Sequence, residues 1–126
     1  MEIKNIGYNI GEVTLDTKLT SGTQAEVGTL DDLKKIYNIA KNSGIARINA
    51  NINDADMSGC CFLNPFVDAD GIGVDIAGVS NFGGNGTLIH GTAKVSSGKM
   101  VAVITVTVLT QAAAQASTRA ATKASK

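Results

Sequence analysis

"MVAVITVTVLT", residues 100–110, is the one continuous apolar run in the chain, and its reading decides the fold. Its 11 residues fall far short of the roughly 20 that a helix needs to cross a bilayer. Val101, Val103, Ile104, Thr105, Val106, Thr107 and Val108 are β-branched, and side chains stiff at χ1 fit a pleated sheet better than a helix. The run is therefore a buried strand, and no membrane partner follows from it. Just before it, Ser96, Ser97 and Gly98 form a hairpin turn back to "GTLIHGTAKV", residues 86–95.

Other segments repeat this texture. "IARINANI" sets Ile48, Ala50 and Ile52 on one side, "GIGVDIAGV" does the same with Ile72, Val74 and Ile76, and "MSGCCFL" lies between them. Near the start, residues 12–19, "EVTLDTKL", alternate Val13, Leu15, Thr17 and Leu19 against Glu12, Thr14, Asp16 and Lys18, the pattern of a half-exposed strand. Fourteen glycines against one proline suit tight turns between such strands.

One stretch has a helical period instead. In "GTLDDLKKIYNIAKNSG", residues 28–44, Leu33, Ile36, Tyr37 and Ala40 recur at i, i+3, i+4 and i+7. Thr29 can accept from the free amide of Asp32, the Asp31 and Asp32 carboxylates sit at the positive end of the helix dipole, and Gly44 provides a left-handed stop. The expected helix spans residues 30–42. About six strands and this helix give a mainly β domain over residues 1–110. The simplest assembly is a small antiparallel β-sandwich or barrel covered by the single helix.

Composition changes at residue 111. "QAAAQASTRAATKASK", residues 111–126, has no large apolar side chain, and its charges are Arg119, Lys123 and Lys126. It reads as a tail. If helical, it would bring those three cations to one side at i, i+4 and i+7, as an arm for an acidic groove on a partner.

Charge excludes one class of function. Eleven basic and eleven acidic residues cancel, without the broad positive field of a domain that tracks nucleic acid. Three phenylalanines, two tyrosines and no tryptophan offer few stacking faces for bases or sugars. "MEIKNIGYNIG" has Glu2 and Asn5 where a secretion signal would turn apolar, so a reducing compartment is expected. Cys60 and Cys61 are neighbours whose side chains point to opposite faces of a strand, which leaves two free thiols and no bridge.

"NFGGNGTLIHG", residues 81–91, lacks the lysine of a phosphate loop, since Thr87 and Leu88 follow Gly86; a dinucleotide fingerprint begun at Gly84 would need a glycine at Ile89. It reads as the glycine turn of a hairpin. His90 shares an exposed polar face with Thr92 and Lys94, and the enzymatic alternative, a small hydrolase, would use it as general base. "DADMSGCCFLNP", residues 54–65, sets Asp54, Asp56, Ser58 and Gly59 as in the first half of a calcium loop but ends in Pro65 where a glutamate is required; "DADGIG" offers Asp68 and Asp70, then Ile72. Both read as turns, with a weak surface calcium site as the alternative. A zinc site lacks ligands, because one histidine and two adjacent cysteines do not complete four. No catalytic, cofactor or metal residue is assigned.

The order of elements carries a resemblance. A capped helix "TLDDLKKIYNIAKNSG", a strand directly after it, glycine-punctuated strands and a closing "VSSGKMVAVITVTVLT" hairpin resemble the small β-rich domains of tailed-phage virion proteins, the head-fibre and capsid-decoration proteins, over roughly residues 28–110. The resemblance implies a non-enzymatic structural protein of the virion, bound in many copies to the capsid shell as a homo-oligomer. Its partners would be the major capsid protein or neighbouring virion subunits. A small glycan- or protein-binding β module is the alternative, using the polar turn at residues 81–85 and the acidic turns.

Overall fold

The segment from residue 45 to residue 108 runs as a meander of long strands, each reversed by a turn that its own residues specify. In the computed structural model, which describes residues 1–82 and 85–108, these are β4 (Ile45–Ile52), β5 (Ala55–Asp68), β6 (Gly71–Phe82), β7 (Asn85–Ser96) and β8 (Lys99–Val108). Asn53 and Asn-like Asp54 take φ of 55° and 64° between paired Ile52 and Ala55, and Ser97 and Gly98 take 50° and 75° between paired Ser96 and Lys99. Positive φ at both central residues matches the twist of the flanking strands, which favours Asn, Asp and Gly there. Phe82 pairs with Asn85, so the glycine stretch of residues 81–91 does join two hairpin strands, with residues 83 and 84 outside the description.

Three shorter strands complete the sheet: β1 (Glu2–Asn5), β2 (Gly11–Thr14) and β3 (Gln24–Thr29). The order is β1-β2-β4-β5-β6-β7-β8-β3, one curled sheet that forms a half-barrel. The expected mainly β domain covered by one helix is the observed one, and of the two assemblies the barrel-like form is realised, left open between β1 and β3. Two features depart from the sequence reading. The alternating segment at residues 12–19 is regular strand only to Thr14; Leu15 and Leu19 still donate their amides to Asn49 and Asn51 of β4, at 2.9 and 2.8 Å, while Asp16, Thr17 and Lys18 bow out to solvent. Strands β1 and β3 were not expected, and β2 lies parallel to β4 where every other pair is antiparallel.

The parallel pair requires a long crossover, and α1 (Leu30–Asn42) belongs to it. The chain leaves β2, forms β3 on the far edge beside β8, and returns through α1 to β4. The helix thus lies across the concave face, over β5 and β6. Its ends follow the sequence: Asp32 N–H donates to Thr29 Oγ1 at 3.2 Å, Thr29 N–H donates to Asp32 Oδ2 at 2.9 Å, and Gly44 turns out with φ 71°. Leu33, Ile36 and Ala40 are buried and Tyr37 packs at their margin. They meet Val13, Ala46, Ile48, Cys61, Leu63, Val74, Ile76, Ala93, Ala102 and Ile104 from the inner face of the sheet.

Glycines sharpen the curl. Gly59, Gly78 and Gly91 sit inside strands on the inner face, and a Cβ on Gly78 would stand 2.8 Å from Cys61 Cα. A side chain at these points would hold neighbouring backbone away, so the sequence reading of glycine as turn residue is corrected for this group.

Candidate functional site

Because α1 packs on the inner face, no second layer lies over the outer face of the sheet among the described residues. Strand alternation dictates what it carries. On β5 the outward residues are Cys60, Phe62 and Asn64, on β6 Asp75, Ala77 and Val79, on β7 Leu88, His90 and Thr92. Cys60, Val79 and Leu88 are register partners in one row; Ile45, Phe62, Ala77 and His90 follow one another in the next. Partners on neighbouring strands stand about 5 Å apart, so these side chains touch or nearly touch. Phe62 is 65 % exposed, Val79 60 % and Leu88 46 %. Together they form a contiguous exposed apolar patch rimmed by polar groups. The rim carries Arg47 beside Cys60 and Asp75 next to Ala77 on the same strand face.

At one end of this face the acidic turn is organised around a lysine. Asp68 Oδ1 accepts from Asp70 N–H at 2.9 Å, and Lys94 Nζ lies 2.7 Å from Asp68 Oδ2 and 3.6 Å from Asp70 Oδ2. The Lys94 ammonium holds the Asp68 carboxyl below its usual range, assisted by the Asp70 amide, and Asp68 in return raises Lys94. Phe66 completes the group, with Lys94 Nζ 5.8 Å from its ring centroid. Asp68 and Asp70 are thus joined to an internal cation.

The other acidic stretch is extended, not wrapped. Asp54 is in the β4–β5 turn, Asp56 and Ser58 point outward from β5, and Gly59 is an inner-face strand residue. Asp56 Oδ1 accepts from Asn51 Nδ2 at 2.9 Å. Among the described residues, no group of three or more His, Cys, Asp or Glu converges on a point. Beside these residues lies an open groove of about 530 Å³, lined by Asp16, Lys18, Asn49, Asn51, Asp56 and Ser58 among others.

His90 is exposed on the outer face, as its alternation predicts, with Thr92 and Lys94 further along the same strand face. Its register partners are Ala77 and Thr105. Asp75, one row along, accepts instead from Thr92 Oγ1 at 3.0 Å. Among the described residues, no serine or cysteine is placed against His90 by the strand register. Cys60 is exposed in the apolar patch and Cys61 is buried in the core, both free; burial pushes the Cys61 thiol up to about 11, with the Cys60 sulfur adding to it.

Sequence reasoning missed the apolar patch itself. In the string "CCFL" alternation pairs Phe62 with Cys60 but does not say which face is inward, and the register of β5 turns both outward. It also missed Tyr8, 96 % exposed in the β1–β2 turn with φ 53°, a rare conformation for a bulky side chain. The side chains of residues 81–85 and the tail residues Arg119, Lys123 and Lys126 lie outside the described residues.

Comparison with protein-family models, with curated proteins and with solved structures finds no match.

Proposed function

We propose that the chain is a non-enzymatic structural protein that assembles in copies through the outer face of its sheet, and that its setting is a virion shell, as a capsid-decoration or head-fibre component. The observation that carries the assembly is the patch of Phe62, Val79 and Leu88 with Cys60 and Ala77 between them. A second copy is the occupant. Five strands at ordinary spacing offer a face roughly 24 Å wide and about 30 Å long. That is at most close to the roughly 800 Å² each partner buries in a standard interface. The rim is self-complementary, since a two-fold axis through the patch can set Arg47 of one copy toward Asp75 of the other. The virion setting, with the major capsid protein or neighbouring subunits as partners, is supported by the resemblance in element order.

Sedimentation tests the assembly. The wild type is expected to form dimers or trimers at micromolar concentration, and Phe62→Asp with Val79→Asp to give a folded monomer with unchanged circular dichroism. A wild type that stays monomeric at high micromolar concentration overturns self-assembly. The setting is tested by gene neighbours, which should encode a major capsid protein and a portal.

The groove beside Asp16 and Asp56 favours a second reading, a binding module for hydroxyl-rich ligands such as glycans, because Asp16, Asn49, Asn51 and Asp56 present hydrogen-bonding groups along one open trough together with apolar Leu15, Ala50 and Met57. Saturable binding in a glycan panel, lost in Asn49→Ala, would support it over the first.

A further inference from the structure

The turn between β1 and β2 holds a tyrosine where the backbone suits a small residue. Gly7, Tyr8 and Asn9 take φ of 123°, 53° and 62°. Asparagine and glycine fill such a turn without strain, and a bulky side chain fills it only at a cost. Tyr8 gains almost no packing in return, because it is almost fully exposed, as is much of Ile6 beside it. The turn is nonetheless held firmly. Ile10 N–H donates to the Gly7 carbonyl at 2.8 Å, Ile6 N–H to the Ile10 carbonyl at 2.9 Å and Gly7 N–H to Asn5 Oδ1 at 2.8 Å, while Ser43 Oγ, at the end of α1, donates to the Asn9 carbonyl at 2.6 Å. Strained residues persist where their surroundings over-determine them, and they concentrate at binding sites. A tyrosine fixed in this way is suited to docking, since its rigid ring gives up little entropy when it is covered.

At the other end of β2, past Thr14, lies the open groove of about 530 Å³. Its size is that of pockets that take small organic groups, roughly 300–1,000 Å³. Leu15, Ala50 and Met57 give it apolar surface, and Asn51, Asp56 and Ser58 give it hydrogen-bonding groups, the match that a phenol needs. Charge favours the same pairing. Asp16, Asp54 and Asp56 stand at the groove end against Lys18, whereas the turn end carries Lys4 on β1 and Lys41 just before Ser43. We propose that Tyr8 of one copy docks in this groove of a second copy, its ring against Met57 and its hydroxyl donating to the Asp56 carboxylate. Knob and groove sit at opposite ends of β2, so the contact runs head to tail, and each copy that fills one groove offers its own to the next. A tyrosine buries about 150 to 250 Å², well short of the roughly 800 Å² per partner of a standard interface. The contact is therefore too weak to hold single copies together at micromolar concentration. It gains strength where copies are already joined, because linked contacts act at high effective concentration. That consequence rests on assembly through the outer face; the contact itself does not.

The test uses chains without the outer patch, so that it reads this contact alone. An isotope-labelled Phe62→Asp, Val79→Asp variant that also carries Tyr8→Asn is titrated to millimolar concentration with the unlabelled Phe62→Asp, Val79→Asp chain, whose Tyr8 is intact. Saturable amide shifts should appear at Asn49, Asn51, Asp56 and Ser58, and should vanish when the unlabelled chain also carries Tyr8→Asn. Tyr8→Asn alone should melt no lower than wild type, because asparagine tolerates this backbone better. Absence of shifts in the groove, or equal shifts with the Tyr8→Asn partner, overturns the proposal and leaves the groove to other ligands. So does a lower melting temperature for Tyr8→Asn, which would show the ring serving the fold itself. Failure of outer-face assembly shows separately, as a monomeric wild type in sedimentation.

Discussion

Phe66 lays its ring across Gly73, its register partner on β6, in the space a side chain at residue 73 would need. Lys94, the next partner in that row, lies over the same ring and reaches back to Asp68. An aromatic covering a cross-strand glycine restores the packing that glycine forfeits. The row thereby fastens the ends of β5, β6 and β7 with one ring and one ion pair.

The ion pair has a definite pH window. Asp68 is held below the ordinary aspartate value by Lys94, so its contribution to stability is present above that ordinary value and fades as pH falls through the depressed one. Lys94, raised by Asp68, contributes below the ordinary lysine value and loses the contribution as pH climbs through the raised one. Both side chains are about a third open to solvent and screened, so the effect on stability is small. Carboxyl NMR should find Asp68 titrating below the ordinary aspartate value, and Lys94→Gln should raise it toward that value. An Asp68 midpoint unmoved by Lys94→Gln would show that the Asp70 amide alone sets it.

Leu33 is fully buried where α1 meets the sheet, while Lys34 beside it is exposed. Truncating a buried leucine removes its transfer free energy and leaves a cavity, together about 2 to 5 kcal/mol. Leu33→Ala should lower the melting temperature sharply and Lys34→Ala hardly at all. Equal effects in a thermal scan would remove the helix from the core.

The contrast between α1 and β3 explains how much of the fold was legible. Every signal for α1 is local: Thr29 and Asp32 three residues apart, a stripe at helical spacing, Gly44 just past the end. The β4–β8 meander was legible for the same reason, as alternation punctuated by turn residues. Strand β3 takes its hydrogen bonds from β8, so that Gln24 pairs with Val103, and "TSGTQ" just before and into it reads as a break. A short edge strand is defined by its partner more than by its own residues. The outer patch was illegible on similar grounds, because a one-residue slip in the register of β5 would turn Phe62 inward.

Gly91 is a packing residue inside β7. A Cβ there would press on the Val103 carbonyl oxygen and lie 3.1 Å from both Ile104 Cα and Cγ1 on β8. Backbone cannot yield as a flexible side chain does. Gly91→Ala should therefore destabilise by about 1 to 3 kcal/mol, the usual cost of overpacking, although alanine suits a strand better than glycine. Denaturant unfolding against Thr107→Ala, on the exposed face, provides the comparison; equal midpoints would mean that β8 moves aside freely.

The two cysteines report on both faces of the sheet at once. Cys61 is buried and its thiol is pushed up to about 11, so at pH 8 it is neither accessible nor ionised. Its raised value favours the folded state below the ordinary thiol range, and that contribution is lost as pH rises toward and through about 11. Cys60, one residue away, stands in the outer patch. A thiol reagent at pH 8 should therefore count one group in the folded protein and two after denaturation. If copies pair through the outer face, the single fast reaction should also slow as protein concentration rises, because the partner covers Cys60. The Phe62→Asp, Val79→Asp variant should label at one rate at every concentration. Rapid labelling of both thiols in the folded protein would contradict the strand register, and a concentration-independent rate in wild type would place any self-association on another surface.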